Sequence, residues 1–249
     1  MVSGRTVVIS GGGTGIGLAT AEAFARGGDT PVLIGRRADV LERAAERIDG
    51  AVPVPADLTD PHQVARAAAV IGERFGTVDV LIHNAGGLAP APPGDGSDPL
   101  VAAAHEWTES FRINTLTAVL LTEALRDRLA SPGGRVLFLS SIAALRGSGA
   151  GGYGGSKAAL HPYAFDLARR FGPRGITVNV VAPGLVDDTE FFGGGMSQER
   201  RRARVAETLN GRAGEPGDVA QTLLWLASHA AGHITAQVIQ VNGGAERGR

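Results

Sequence analysis

The strongest constraint in this chain is a rhythm: short β-branched and apolar runs recur along it, each followed by a longer stretch with helical spacing. The runs are TVVIS at 6–10, PVLIG at 31–35, AVPVP at 51–55, VDVLIHN at 78–84, RVLFLS at 135–140, ITVNVVA at 176–182 and QVIQVN at 237–242. After the first run, Ile16, Ala19, Thr20, Ala23 and Phe24 repeat at the spacing of one helix face, and similar patterns occupy 38–48, 61–75, 101–130, 153–172 and 216–229. Strands that alternate with helices and are apolar almost throughout have to be covered on both faces. The pattern therefore predicts a single α/β domain over 1–249, a doubly wound parallel sheet of about seven strands with helices on both faces.

Composition narrows the function. With 43% hydrophobic residues in 249, the chain can bury a large core and is neither disordered nor fibrous. The absence of cysteine removes disulfides and thiolate metal sites. A formal net charge of -1 gives no reason to expect a nucleic acid or a membrane surface as partner. The apolar run at the amino terminus is too short for a signal peptide, and no later stretch reaches the length of a membrane span, so the expected location is the cytoplasm.

Two segments break the rhythm, 86–99 and 184–215, the second with a triple glycine at 193–195. Both follow strands at their carboxyl ends, where an open α/β sheet binds its ligands, so they are expected to wall the pocket, with 184–215 as a substrate lid. At the first strand the chain reads Ser10-Gly11-Gly12-Gly13-Thr14-Gly15-Ile16-Gly17 and enters a helix at once. Gly11, Gly15 and Gly17 give the spacing G-x-x-x-G-x-G, which allows unusual dihedrals and a close backbone approach to a pyrophosphate at a helix amino terminus.

Tyr153, one of two tyrosines, sits in GGYGGSKAAL with Lys157 one helical turn on. A free phenol titrates near 10 and is a poor acid-base group at neutral pH; a neighbouring ammonium lowers that value. Alone, the pair reads more simply as a half-buried tyrosine near a solvated lysine. The context changes this. Gly11-x-x-x-Gly15-x-Gly17, Asn84-Ala85-Gly86, Asn114, Ser141, Tyr153-x-x-x-Lys157 and Pro183-Gly184 occur in that order, and the chain resembles the short-chain dehydrogenase/reductase family over essentially its whole length.

The resemblance implies a Rossmann-type domain that transfers hydride between a nicotinamide cofactor and a carbonyl or alcohol, most closely in the manner of 3-oxoacyl-carrier-protein reductases. It implies Asn114, Ser141, Tyr153 and Lys157 as the catalytic set. Tyr153 would exchange the proton, Ser141 hold the substrate oxygen, Lys157 bind the nicotinamide ribose and depress the phenol pKa, and Asn114 hold a water. Ser140 competes with Ser141, and only one of two successive strand residues can face the site; the family arrangement uses the second. The glycines around Tyr153 are expected to let cofactor and substrate approach. Toward the cofactor the resemblance implies Gly11, Thr14, Gly15, Ile16 and Gly17, then Asp57 and Leu58 at the adenine. It further implies Ala85 and Gly86, and Pro183, Gly184, Val186 and Thr189 at the nicotinamide. Thr189 stands one residue later than usual. Asn84 reads equally as a cofactor contact or as a bridge between strands.

Gly35 replaces the carboxylate that NAD-preferring relatives carry at the end of the second strand, and Arg36 and Arg37 follow, which implies NADP, with NAD as the alternative. The implied partners are a small carbonyl or alcohol substrate and further copies of the chain in a homotetramer. A non-catalytic nucleotide sensor would have no need of Ser141, Tyr153 and Lys157. Arg174 matches one basic residue of carrier-protein-binding relatives, whereas Pro132 occupies the place of another. Pro162 should kink the helix that carries Tyr153 and Lys157 after the catalytic turn. His229 and His233 lack the third residue of a zinc site, ERRRAR at 199–204 reads as a solvated helix face, and His83 reads as a core histidine.

Overall fold

A computed structural model describes residues 4–92, 98–147, 149, 151–192 and 196–247. The triple glycine at 193–195 and the middle of the 86–99 segment lie outside the described residues. Seven strands form one sheet: β1 (Thr6–Ser10), β2 (Thr30–Gly35), β3 (Val52–Pro55), β4 (Val80–His83), β5 (Arg135–Leu139), β6 (Thr177–Pro183) and β7 (Val238–Val241). Their order is β3-β2-β1-β4-β5-β6-β7 and every pairing is parallel. The predicted runs and the observed strands agree to within about two residues at each end, the usual scatter at element boundaries.

Among the described residues, ten α-helices connect and cover the strands: α1 (Gly15–Arg26), α2 (Ala38–Arg47), α3 (Pro61–Phe75), α4 (Pro99–Phe111), α5 (Thr117–Leu125), α6 (Ala143–Arg146), α7 (Gly151–Ala158), α8 (Leu160–Phe171), α9 (Gln198–Ala206) and α10 (Pro216–Leu226). Strand side chains alternate, so each strand feeds two cores. Val8, Ile34, Leu81, Phe138 and Val180 pack with α3, α5 and α8. Val7, Ile9, Leu33, Ile82 and Leu139 pack with α1, α2 and α10 on the other face. This two-sided burial is why the strands are apolar at nearly every position.

The helix expected over 101–130 is instead α4 and α5 joined by a π-helical turn, Arg112–Leu116, which contains Asn114. Asp98 caps α4 by accepting from the backbone N–H groups of Leu100 and Val101, with Pro99 at its first position, so the helix begins earlier than its apolar pattern. The helix expected over 153–172 is broken at Ala159 into α7 and α8. Pro162 brings no N–H to the carbonyl of Ala158, and its ring crowds that turn. Helix α9, the ERRRAR segment, buries no residue. No helix among the described residues is long and apolar enough to cross a membrane.

His83 is fully enclosed between β4 and the helix layer. Its Nε2 lies 2.8 Å from Thr122 Oγ1, and its ring stacks on Phe138 at 4.6 Å between centroids. Burial pulls its pKa from 6.5 down to about 3. The folded chain therefore holds His83 neutral where the unfolded chain protonates it. The stability this contributes is complete above pH 6.5 and is lost as pH falls from 6.5 toward 3. Chemical denaturation of wild type and His83→Gln at pH 7 and pH 5 should show the wild type losing up to about 1.4 kcal/mol more per pH unit below 6.5. Equal pH slopes would contradict it.

Candidate active site

The order of β1 and β4 places a topological switch point at the middle of the sheet, and the carboxyl ends of β1, β4, β5 and β6 open onto one crevice. At the first of these ends Gly11 and Gly15 have φ of 66° and 51°. A Cβ on Gly17 would stand 2.1 Å from the Gly11 carbonyl oxygen and 2.6 Å from Asn84 Nδ2, so this position admits only glycine. Thr14 enters α1 without a side-chain cap, and no acidic residue stands in the first turn, so the first N–H groups of the helix face the crevice uncapped by side chains. A glycine cradle with free amide donors fits a dinucleotide pyrophosphate. Ile16 packs into the core behind it.

Asn84 is committed to the protein. Its Nδ2 donates to the carbonyls of Ser10 at 3.0 Å and Gly11 at 3.1 Å, while Ser10 Oγ accepts from the N–H groups of Asn84 and Ala85 at 3.0 Å each. This lashes the glycine loop to the end of β4. Asp57 closes a tight turn by accepting from Thr59 N at 2.9 Å and Thr59 Oγ1 at 2.8 Å. Burial pushes its pKa up, but these hydrogen bonds and the guanidinium groups of Arg36 and Arg112 outweigh it and leave the carboxyl low. The Leu58 side chain is buried in the core.

Ser141, Asn114, Tyr153 and Lys157 converge from β5, the π turn and α7. Ser141 Oγ accepts from Ala143 N at 3.1 Å, and the Ser141 hydroxyl acts on the Tyr153 phenol, whose pKa it lowers. Ser140 turns the other way: its Oγ donates to the Lys157 carbonyl at 3.1 Å and lies 2.8 Å from His161 Nε2. Lys157 Nζ donates to the Leu139 carbonyl at 2.9 Å. A Cβ on Gly86 would lie 2.4 Å from Asn114 Oδ1 and 2.8 Å from Lys157 Nζ, so this glycine makes room for both side chains to meet. Asn114 Oδ1 accepts from Gly87 N at 2.9 Å, and Nδ2 donates to the carbonyls of Gly87 and Ser110 at 3.0 Å each.

Burial dominates the electrostatics. It pushes the Tyr153 phenol up to about 12, with the Ser141 hydrogen bond pulling it part of the way back, and it pulls Lys157 down to about 8. Burial favours the neutral form of both groups.

The glycines beside Tyr153 serve helix packing. A Cβ on Gly152 would stand 3.0 Å from Ser110 Oγ, one on Gly154 2.9 Å from the Ala143 carbonyl, and one on Gly155 2.8 Å from Trp107 Cζ3. They let α7 press against α4 and α6, and Gly154 and Gly155 also line a cavity with Ala143, Ala144 and Gly147. Trp107 signalled none of this in the sequence, because an aromatic residue in a helix reads as ordinary core.

After β6, Gly184 packs against Asn242, and Val186 is buried beside Gly214. Asp188 takes φ 55°, a conformation that aspartate tolerates better than most residues. Thr189 then reaches the glycine loop: a Cβ on Gly15 would lie 3.4 Å from its Cγ2. Two contacts of this segment escaped the sequence reading. Phe191 stands edge-on to Tyr153 at 5.2 Å between ring centroids, and Glu190 pairs with Arg37 at 2.7 Å. Arg36 makes no ion pair among the described residues. Arg174 is spent on the carbonyls of Arg126 and Leu129 and stacks on Phe171.

Comparison with known proteins finds relatives along almost the whole chain. A family model described as enoyl-(acyl carrier protein) reductase matches residues 11–246. The chain is 33% identical to galactitol 2-dehydrogenase (L-tagatose-forming) of Cereibacter sphaeroides, across 98% of this chain and 95% of that one. It is 28% identical to the 3-oxoacyl-[acyl-carrier-protein] reductase of Vibrio cholerae, across 98% of both. The crystal structure of a short-chain dehydrogenase/reductase, glucose/ribitol dehydrogenase, from Brucella melitensis superposes with a TM-score of 0.87 at 29% identity, covering 98% of this chain and 97% of that one. The chain is therefore an NAD(P)-dependent oxidoreductase and belongs to the short-chain dehydrogenase/reductase family.

Proposed function

We propose that this enzyme reduces a ketone or 3-oxoacyl compound to a secondary alcohol with NADPH. The observation that carries the cofactor choice is the end of β2. Gly35 puts no carboxylate at that position, and the adjacent Arg36 makes no ion pair among the described residues, although it acts on Asp57 at longer range, so its guanidinium is available to a 2′-phosphate. Arg37 contributes less, because Glu190 already neutralises it. The 3-oxoacyl assignment leans on the Vibrio cholerae relative. The similarity to a galactitol 2-dehydrogenase favours a second reading, oxidation of a secondary alcohol with NAD.

The cofactor supplies the hydride; the chain supplies position and protons. In this proposal Gly11, Thr14, Gly15 and Gly17 receive the pyrophosphate, Asp57 the adenine, and Gly86, Pro183, Gly184, Val186 and Thr189 the nicotinamide end. Ser141 donates to the substrate oxygen, Tyr153 O–H gives up its proton to that oxygen, and Lys157, at the nicotinamide ribose, returns a proton to the phenolate from solvent through a water held by Asn114. Residues 184–215 act as the substrate lid, which suits the reach of Thr189, Glu190 and Phe191 across the crevice. We place the enzyme in the cytoplasm as a homotetramer. Support for assembly comes from Trp107, Phe111 and Leu116, apolar side chains that are 46%, 38% and 41% exposed along α4 and the π turn.

Tyr153→Phe removes the proton and keeps the ring. Turnover should fall by about 10²-fold or more with cofactor affinity nearly unchanged, and wild-type turnover in a chemistry-limited assay would contradict the role. Wild type should favour NADPH over NADH in kcat/KM by about tenfold to a hundredfold, the worth of one ionic contact of about 1.5–3 kcal/mol. Arg36→Ala should remove most of that preference. An equal or better NADH value in wild type overturns the cofactor assignment and favours the alcohol dehydrogenase reading. Light scattering at micromolar concentration should report about four chains per particle; monomer alone would refute the assembly.

A further inference from the structure

The break between α7 and α8 lies directly beyond Lys157, and what surrounds it is unusual. Pro162 withholds an N–H from the Ala158 carbonyl, and the helix resumes only at Leu160. Around this break two backbone carbonyls of α7 receive side-chain donors from other elements. Thr115 Oγ1 donates to the Ser156 carbonyl at 2.8 Å, and Ser140 Oγ donates to the Lys157 carbonyl at 3.1 Å. Each donor is the chain neighbour of a residue in the catalytic set: Thr115 follows Asn114 in the π turn, and Ser140 precedes Ser141 at the end of β5.

A serine hydroxyl has a single proton. If Ser140 gives it to the Lys157 carbonyl, the 2.8 Å contact with His161 must run the other way, with His161 Nε2–H donating to Ser140 Oγ. This fixes the imidazole tautomer and aligns three groups in one chain, from the half-buried His161 through buried Ser140 to the backbone of Lys157.

We infer that Ser140 and His161 are positioning residues, which hold the carboxyl end of α7 at the height where Lys157 and Tyr153 meet Ser141. Neither touches the reacting atoms. Pro162 ends α7 one turn after the tyrosine and leaves its end to be set by side chains, and Ser140 with His161 sets it. The inference rests on the catalytic reading of Tyr153 and Lys157 given above.

The test uses the full-length enzyme and a carbonyl compound that the wild type reduces. Ser140→Ala, His161→Leu and His161→Gln are compared with Tyr153→Phe in kcat, in KM for the nicotinamide cofactor and in melting temperature. Ser140→Ala and His161→Leu should lose about tenfold in kcat, since small misplacements of a reacting group are costly, with cofactor KM changed by less than about twofold. His161→Gln keeps an N–H donor at similar reach and should recover most of the loss. Wild-type kcat in both Ser140→Ala and His161→Leu, with Tyr153→Phe inactive, overturns the positioning role and leaves the catalytic reading standing. An undiminished Tyr153→Phe overturns the catalytic reading itself. A loss in His161→Leu that His161→Gln does not relieve also overturns the role, because it assigns the effect to packing. If Ser140→Ala fails to fold, the two His161 variants decide alone.

Discussion

The arrangement turns on an ammonium group kept in a dry interior. Lys157 is buried and its Nζ gives a hydrogen bond to the Leu139 carbonyl at the end of β5. An unsatisfied charge there would cost several kcal/mol, so the strand end, the π turn and α7 have to arrive together. The π turn is the adjustment that makes this work. Its extra residue per turn brings Asn114 to the same spot that Gly86 leaves open, as π turns often do at functional sites. The candidate site is thus less a cluster of side chains than a junction of three backbone segments.

The fold was almost fully legible from periodicity. Two-sided burial makes parallel strands apolar along their length, so runs such as TVVIS and RVLFLS stand out from the helices between them, and the glycine spacing marks the first crossover. What periodicity could not show was the interruption of long helices. The pattern over 101–130 is continuous in apolar spacing, and a π turn leaves no compositional mark. Pro162 did leave one, and the break falls where a proline should place it.

The grouping of Ser141, Tyr153 and Lys157 in one place was legible in the sequence, because residue type and spacing at these positions stand out. The site was illegible where a contact joins segments far apart in sequence. Glu190 on Arg37, Phe191 on Tyr153 and His161 on Ser140 depend on the folded crevice, and none of these residues is distinctive alone. Asn84 stood between: its type suited either role, and only the hydrogen bonds to Ser10 and Gly11 show how its amide is used.

The glycine facing of α7 carries a thermodynamic consequence. Gly151, Gly152, Gly154 and Gly155 make up half of this eight-residue helix, and glycine in a helix interior costs about 1 kcal/mol relative to alanine. By itself the segment would be coil. It becomes a helix only because Trp107 and Ser110 of α4 and the Ala143 carbonyl of α6 hold it at a closeness that a side chain would forbid. The helix that presents Tyr153 and Lys157 is therefore conditional on its neighbours. Loosening of α4 would unwind it before the sheet is disturbed, so local order around Tyr153 and Lys157 is set from a helix that carries neither of them.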